Sequence, residues 1–374
     1  MAEIEIGLGK SARQGYSLED VAIVPSRRTR SADEADLSWQ IDAYQFEIPV
    51  ISSPMDGVTS PGVAIEMDRL GGLGALHVEG LWTRYEDPTA VLERVTQLEP
   101  GDRAVELREI YSAPVDPDLI GLRVQQIRDA GAIAAVAVSP GSTETLLPQI
   151  TAADPHLLLI QGTVTSAEHV TSTESDPLDL KYLVRRLDVP VIVGGCASYQ
   201  AALHLMRTGA AGVLVGVGPG ITSRTNAVLG VANPQATAIA DARAARMRHL
   251  DETGVHCHVI ADGGMSTGGD IAKAVVCGAD AVMLGSPLAA AEESPAGGAV
   301  WSMSAFHAEL PRGVLARVET LGPLERVLNG PSDHSDGHTN LMGALRKAMA
   351  VCGYESMKDL QKAELVITGR GATS

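Results

Sequence analysis

The chain has 374 residues, 45% hydrophobic but only 3% aromatic, so a large core is available and must be built from Ala, Val, Leu and Ile. Its 29 Lys and Arg against 46 Asp and Glu leave a formal charge of −17. That excludes the basic footprint of a non-specific nucleic-acid or anionic-membrane binder. No apolar run approaches the roughly 20 residues that span a bilayer.

The first residues, MAEIEIGLGKSARQGYSLED, are acidic and polar and lack a signal-peptide core. Cys196, Cys257, Cys277 and Cys352 show no metal-ligand spacing. Free thiols in a cytoplasmic protein are the expectation. An anionic ligand remains possible, because backbone N–H groups bind phosphate without basic side chains.

In chain order, eight short aliphatic runs read as strands: PVISS (49–53), LGALH (73–77), IAAVAV (133–138), HLLLI (156–160), PVIV (190–193), GVLVG (212–216), CHVIA (257–261) and DAVML (280–284). Such runs suit parallel strands buried on both faces. Amphipathic stretches lie between them, among them PGVAIEMDRL, LIGLRVQQIRDAG, SYQAALHLMRTGA and GGDIAKAVVCGA, the last two ending in helix-stopping Gly. Eight βα units in series predict an α/β fold, a (β/α)8 TIM barrel spanning residues 1–374 as one domain. Two segments fall outside the repeat. Residues 82–120 predict a helix plus a long connection, and 292–327 carry mixed signals. A last helix is predicted from Asn340, a good N-cap.

In such a barrel the residues after each strand build the site. Here they are SPMDG (53–57), HVEG (77–80), SPGST (139–143), QGTVTS (161–166), GGCAS (194–198), GVGPG (216–220), DGG (262–264) and GSP (285–287), a polar, flexible rim. In IADGGMSTGGDIAKA (260–274) a strand ends in Asp262, and a helix begins near Gly269-Asp270. DGG alone reads equally well as a tight turn. Paired with Gly285-Ser286 after the next strand, it reads as a phosphate site with a carboxylate placed for ribose hydroxyls, hence a nucleoside monophosphate.

The loop GVGPGITSRTNAVLG (216–230) resembles the catalytic loop of IMP dehydrogenases and GMP reductases. YSLEDVAIVPS, PVISSPMDGVTSPGVAIEMDRLGGLGALH, VIVGGCASYQAALHLMRTGAAGVLVGVGPG and VIADGGMSTGGDIAKAVVCGADAVMLGSPLA follow that family's order and spacing. The tandem CBS module of most IMP dehydrogenases is missing. Residues 82–120 occupy its place, as in a short "IMP dehydrogenase-related" branch, and 292–327 read as a shortened flap.

The resemblance implies NAD as cofactor and a homotetramer binding a purine nucleoside monophosphate. Ser53 and Met55 would touch the nucleotide, Asp262 its ribose, Gly264, Gly285 and Ser286 its 5′-phosphate, and Met303 its base. Gly218 and Gly220 would sit in the mobile catalytic loop, where carbonyls of Gly218, Gly220 and Ser223 could bind a potassium ion; Gly220 also counts as a nucleotide contact.

Departures from the pattern bear on the reaction. The family loop reads G-P-G-S-I-C-T-T, whereas this chain has Ile221 for the phosphate-binding serine and Ser223 for the nucleophilic cysteine; Thr225 survives. A thiol ionises near neutral pH, but a serine needs a base, and Arg224 cannot accept a proton. The family's cofactor-side aspartate is replaced by Val138, before Ser139-Pro140, and the flap's Arg-Tyr pair is absent from 292–327, where Glu309, Arg312 and Arg317 have no assigned role.

Cys196 reads as a buried small residue, Asp56 as structural, His77 as structural or site-facing, and His334 and His338 as a solvated loop. The expected function is IMP dehydrogenase-type oxidation of IMP to XMP, weakened at Ser223. GMP reduction and catalytically weak nucleotide binding are the alternatives.

Overall fold

The structure is a computed structural model describing residues 3–101, 103–168 and 178–368. Its centre is a closed barrel of eight parallel strands. These are β1 (Val50–Ser52), β2 (Leu73–His77), β3 (Ala135–Val138), β4 (Leu157–Gln161), β5 (Val191–Cys196), β6 (Gly212–Val215), β7 (His258–Asp262) and β8 (Ala281–Leu284). Each pairs with its neighbour in sequence, and Met283 of β8 pairs with Ile51 of β1 to close the ring. All eight expected strands are present.

Their continuous apolar runs follow from burial on both faces. Ile51, Leu73, Ala75, Leu159, Ile192, Leu214, Ile260 and Met283 fill the interior, while Val136, Ile160, Val193, Val213, Val259 and Val282 pack outward in a second cluster. The hairpin Trp39–Ile41/Tyr44–Phe46 plugs the N-terminal end, with Trp39 stacked on Phe46 at 5.2 Å between ring centroids.

The helices include α1 (Pro61–Arg69), α2 (Pro117–Asp129), α3 (Thr143–Ala153), α4 (Leu180–Val184), α5 (Tyr199–Met206), α6 (Gln235–Thr253), α7 (Gly268–Cys277) and α8 (Leu341–Cys352). Ser60, Asp116, Ser198 and Asn340 cap α1, α2, α5 and α8 with side-chain acceptors. α7 starts a residue earlier than expected, because Thr267 and Asp270 form a capping box. Gly268 lets α7 lie against α8, since a Cβ there would stand 2.4 Å from the Ala344 Cβ.

Two expectations are corrected. Residues 82–120 contain two helices, Thr89–Thr96 and Ala104–Ile110, as well as the start of α2. After α8 a short helix, Met357–Leu360, and a strand, Leu365–Ile367, bring the chain back antiparallel to Val21–Ile23. That pairing joins segments more than 340 positions apart, which local periodicity does not register. Among the described residues no helix is long and apolar enough to cross a membrane.

Candidate active site

The C-terminal mouth of the barrel opens into a cleft of about 350 Å³. Ser53 and Met55 after β1, His77 at the end of β2, Ser139 after β3 and Gln161–Thr163 at β4 line it. So do Gly218–Gly220, Thr222, Ser223 and Thr225 after β6, Asp262 and Gly263 at β7, and Ser302–Ser304, His307 and Arg312 from the segment after β8. Of the expected residues, Ser53, Met55, Gly218, Gly220, Ser223, Thr225, Asp262 and Met303 therefore meet around one space. Gly264, Gly285 and Ser286 do not line it, though Gly264 and Gly285 adjoin residues that do. A Cβ on Gly285 would lie 3.6 Å from the Met55 sulfur, and one on Gly264 3.0 Å from the Pro219 Cβ.

The DGG turn requires its glycines. Gly263 and Gly264 have φ of +77° and +75°, where side-chain-bearing residues are strained. Gly216 closes against the same turn, and a Cβ there would fall 2.1 Å from the Asp262 carbonyl oxygen. The glycine loop and the DGG turn thus form one backbone unit. Asp262 is partly exposed at the floor of the cleft. Burial pushes its carboxyl up to about 6, partly opposed by Gln161, whose Nε2 donates to Oδ2 at 2.9 Å.

Ser223 is held within its own loop. Its Oγ donates to the Thr225 Oγ1 at 3.1 Å and accepts the Thr225 N–H at 3.2 Å. Among the described residues no carboxylate or imidazole hydrogen-bonds to that Oγ. The loop is also bonded to the segment after β8: Arg224 N–H donates to the Arg312 carbonyl at 2.7 Å, and Val314 N–H to the Thr222 carbonyl at 2.8 Å. That segment is in turn tied to the 82–120 insertion, where Gly101 and Leu315 exchange both backbone bonds at 3.0 and 3.2 Å. Leu92, Val95, Leu107, Ile110 and Tyr111 pack there with Ala299, Trp301, Ala305 and Leu315.

Beside β2 lies a buried polar network that the sequence did not disclose. Asp56 accepts from Leu81 N–H at 2.9 Å and from the Tyr111 hydroxyl, which accepts from Trp301 Nε1 at 2.9 Å. Burial raises the Asp56 carboxyl and, with the Asp56 charge, holds the Tyr111 phenol well above its usual range. Asp56 is structural, as expected. Glu79 accepts from Ser139 N–H (2.6 Å), Ser139 Oγ (3.0 Å) and Ser142 Oγ (2.6 Å). Burial works to raise Glu79, but His77 and these hydrogen bonds outweigh it and hold the carboxylate below its usual value. Glu79 N–H donates to His77 Nδ1 at 3.0 Å, leaving the imidazole proton on Nε2. Burial lowers the His77 pKa against the pull of Glu79 and Asp56. His77 reaches the cleft, so the site-facing reading applies.

Cys196 is buried and its thiol is pushed up to about 12 by burial, so it is no substitute nucleophile. His334 is exposed and His338 half-buried in a loop, His338 Nδ1 lying 2.9 Å from the Ser266 carbonyl oxygen. A third cluster, His256, His258 and Asp280, has ligand atoms within 4.8 Å of one another at the opposite end of the barrel. Its carboxylate is already neutralised by Arg246 at 2.5 Å, which makes it an ion-pair cluster.

A parallel (β/α)8 barrel with a glycine-lined ligand cleft at its C-terminal mouth defines the class. Residues 15–307 match the IMP dehydrogenase / GMP reductase domain, and the chain belongs to that family of oxidoreductases. It is 51% identical, over 97% of its length and 99% of the relative's, to an uncharacterized oxidoreductase of Mycolicibacterium smegmatis. It is 26% identical, over 95% of its length and 93% of the relative's, to the inosine-5'-monophosphate dehydrogenase of Methanocaldococcus jannaschii. The crystal structure of an IMP dehydrogenase/GMP reductase-like protein from Corynebacterium glutamicum superposes with a TM-score of 0.93 at 44% identity, covering 98% of each chain.

Proposed function

We propose that the cleft binds a purine nucleoside monophosphate and acts as an IMP dehydrogenase-type site whose covalent step is weak. The Gly263–Gly264 and Gly285–Ser286 turns take the 5′-phosphate, Asp262 the ribose hydroxyls, and Met303 packs on the base so that its C2 edge faces Ser223. The observation that carries this reading is the Asp262 carboxylate, fixed by Gln161 beside two left-handed glycines. IMP oxidation would add a nucleophile to C2, pass hydride to a cofactor and then hydrolyse the adduct. Ser223 would be that nucleophile, and among the described residues its only side-chain partner is Thr225, a hydroxyl that is no base.

NAD, when bound, supplies the hydride acceptor. The wall beyond Ser223, with the Ser139 and Thr163 side chains and the His77 Nε2–H, offers hydroxyls and an N–H donor that suit an uncharged carboxamide. Potassium fits less well. The Ser223 carbonyl already accepts from Arg224 Nη1 at 3.1 Å, and the Gly220 carbonyl from Ser223 N–H at 3.0 Å. Calorimetric titration with IMP, followed by NADH absorbance with IMP and NAD, tests the reading. Binding with slow NADH formation is expected, and no binding of IMP, XMP or GMP at millimolar concentration sinks it.

A further inference from the structure

Arg312 sits where the segment after β8 crosses the glycine loop. Its backbone is pinned on both sides: its N–H donates to the Ser304 carbonyl at 2.8 Å, and its carbonyl accepts the Arg224 N–H at 2.7 Å. Gly313, the next residue, is bridged to Ser223. Arg312 lines the cleft together with Ser304 and Ser223. Its Nη1 is anchored on the Leu310 carbonyl at 3.1 Å. Its Nε is buried and, among the described residues, has no partner. A buried donor without an acceptor costs stability unless a ligand supplies one. The Nε edge is also the side of a guanidinium that receives a planar anion side-on.

IMP, GMP and XMP present different C2 edges to such a group. Hypoxanthine offers a C–H, which accepts nothing. Guanine offers an amino group, a donor facing a donor. Xanthine offers a 2-oxo group; its ring loses the N3 proton close to neutral pH and spreads the charge over N3, C2 and O2. That planar N–C–O edge is the amide analogue of a carboxylate.

Building on the nucleotide reading above, we infer that Arg312 is a specificity residue that selects a purine nucleoside monophosphate with an ionised 2-oxo edge. The site then holds the oxidised nucleotide, XMP, more tightly than IMP and holds GMP least. A barrel with a slow covalent step and this preference reports the level of oxidised purine nucleotide rather than turning it over quickly. Arg312 achieves this without the Arg-Tyr pair of longer flaps. It stands on a short segment fixed from both sides, so its charge is present in the cleft before any ligand arrives.

The experiment is calorimetric titration of the full chain with XMP, IMP and GMP at pH 7.5, for the unsubstituted protein and for Arg312→Met and Arg312→Lys. The unsubstituted protein is expected to bind XMP about tenfold to a hundredfold more tightly than IMP, the range of a hydrogen bond to a charged group. In Arg312→Met the three affinities converge, with GMP gaining and XMP losing. Arg312→Lys, which keeps the charge without the planar edge, retains part of the XMP preference and shows by its melting curve that the segment still folds. Equal affinities in the unsubstituted protein, or an XMP preference that survives Arg312→Met, overturns the inference and leaves nucleotide binding standing. Failure of all three nucleotides to bind removes the nucleotide reading itself, and this inference with it.

Discussion

The Tyr111 hydroxyl donates to the buried Asp56 carboxylate at 2.5 Å. Tyr111 belongs to the insertion after β2 and Asp56 to the loop after β1, and the same phenol oxygen accepts from Trp301 in the segment after β8. One side chain therefore joins three pieces of chain, two of which, the insertion and the segment after β8, are also bridged at Gly101 and Leu315. The stacking of Tyr111 on Phe306, at 4.0 Å between ring centroids, adds apolar contact to the polar tie.

Tyr111→Phe keeps the ring and removes the oxygen. It leaves Asp56 with one donor fewer and Trp301 Nε1 without its acceptor, both in buried surroundings. The expected loss is about 3 kcal/mol, read as a lower midpoint in urea. Because the segment after β8 is bonded to the glycine loop, amide exchange at Arg224, Arg312, Val314 and Leu315 should quicken while the barrel strands keep their protection. Unchanged exchange at those four amides would show that the insertion does not steady the loop.

Much of this architecture is legible in the sequence because a parallel barrel writes itself locally. Each strand is a continuous aliphatic run, and each following turn carries the glycines its backbone needs, as Gly263 and Gly264 do at positive φ. Ser223, after β6, and Asp262, at the end of β7, are therefore recognisable as candidates from their places. The Asp56–Tyr111–Trp301 relay is not, because its members come from three irregular segments with no period to read. Gln161 sat in the rim, but nothing in QGTVTS says that its amide reaches Asp262, 101 positions away. Arg312 was visible as a charge in the shortened flap. Only the pairing of that flap with residues 222–224 brings it into the cleft.

Ser223→Cys tests whether the loop lacks only its nucleophile. A thiol with an ordinary pKa near 8.5 supplies thiolate without a dedicated base, whereas among the described residues the serine hydroxyl has only Thr225 as a side-chain partner. NADH formation from IMP and NAD should rise steeply in the variant and climb further between pH 7 and pH 8.5 as the thiolate fraction grows. A variant as slow as its parent would place the deficit in hydrolysis or cofactor binding and refute the assignment of the weak step to Ser223.

Asp262 sets a pH dependence whose sign follows from its raised carboxyl, at about 6 against an ordinary 3.8. A group raised in the folded state contributes stability below its unfolded pKa and loses it as pH rises through the folded one, here between about pH 4 and 6. Ribose hydroxyls donate to the ionised form, so nucleotide affinity should fall as pH drops below 6, by up to about tenfold per unit. The ligand's own phosphate titrates in the same range. Asp262→Asn separates the two, retaining only the phosphate's share of the pH dependence. At pH 7.5 without ligand that variant should be more stable than its parent while binding IMP more weakly. Equal pH profiles for the two proteins would remove Asp262 from the site.

Arg246 and Asp280 predict a stability effect that leaves the cleft alone. Arg246, its side chain 5% exposed, meets Asp280 at 2.5 Å and also holds Gln361 at 3.0 Å. Burial works to raise Asp280, but His256 and Arg246 outweigh it and hold the carboxylate far below its usual range. Arg246→Met strands that carboxylate, and breaking a buried pair on one side costs about 3–5 kcal/mol. Arg246→Met with Asp280→Asn should recover part of the loss, since no charge is then left behind. A depressed carboxylate lends stability above its unfolded pKa and loses it as pH falls through the folded one. The deficit of the single variant should therefore be full at pH 7 and shrink below about pH 4. IMP affinity should stay at the parent value, because the pair lies at the far end of the barrel. Urea melts at pH 7 and pH 3.5 measure the first effect and calorimetry the second; a deficit that is the same at both pH values would show that the charge pair is not its source.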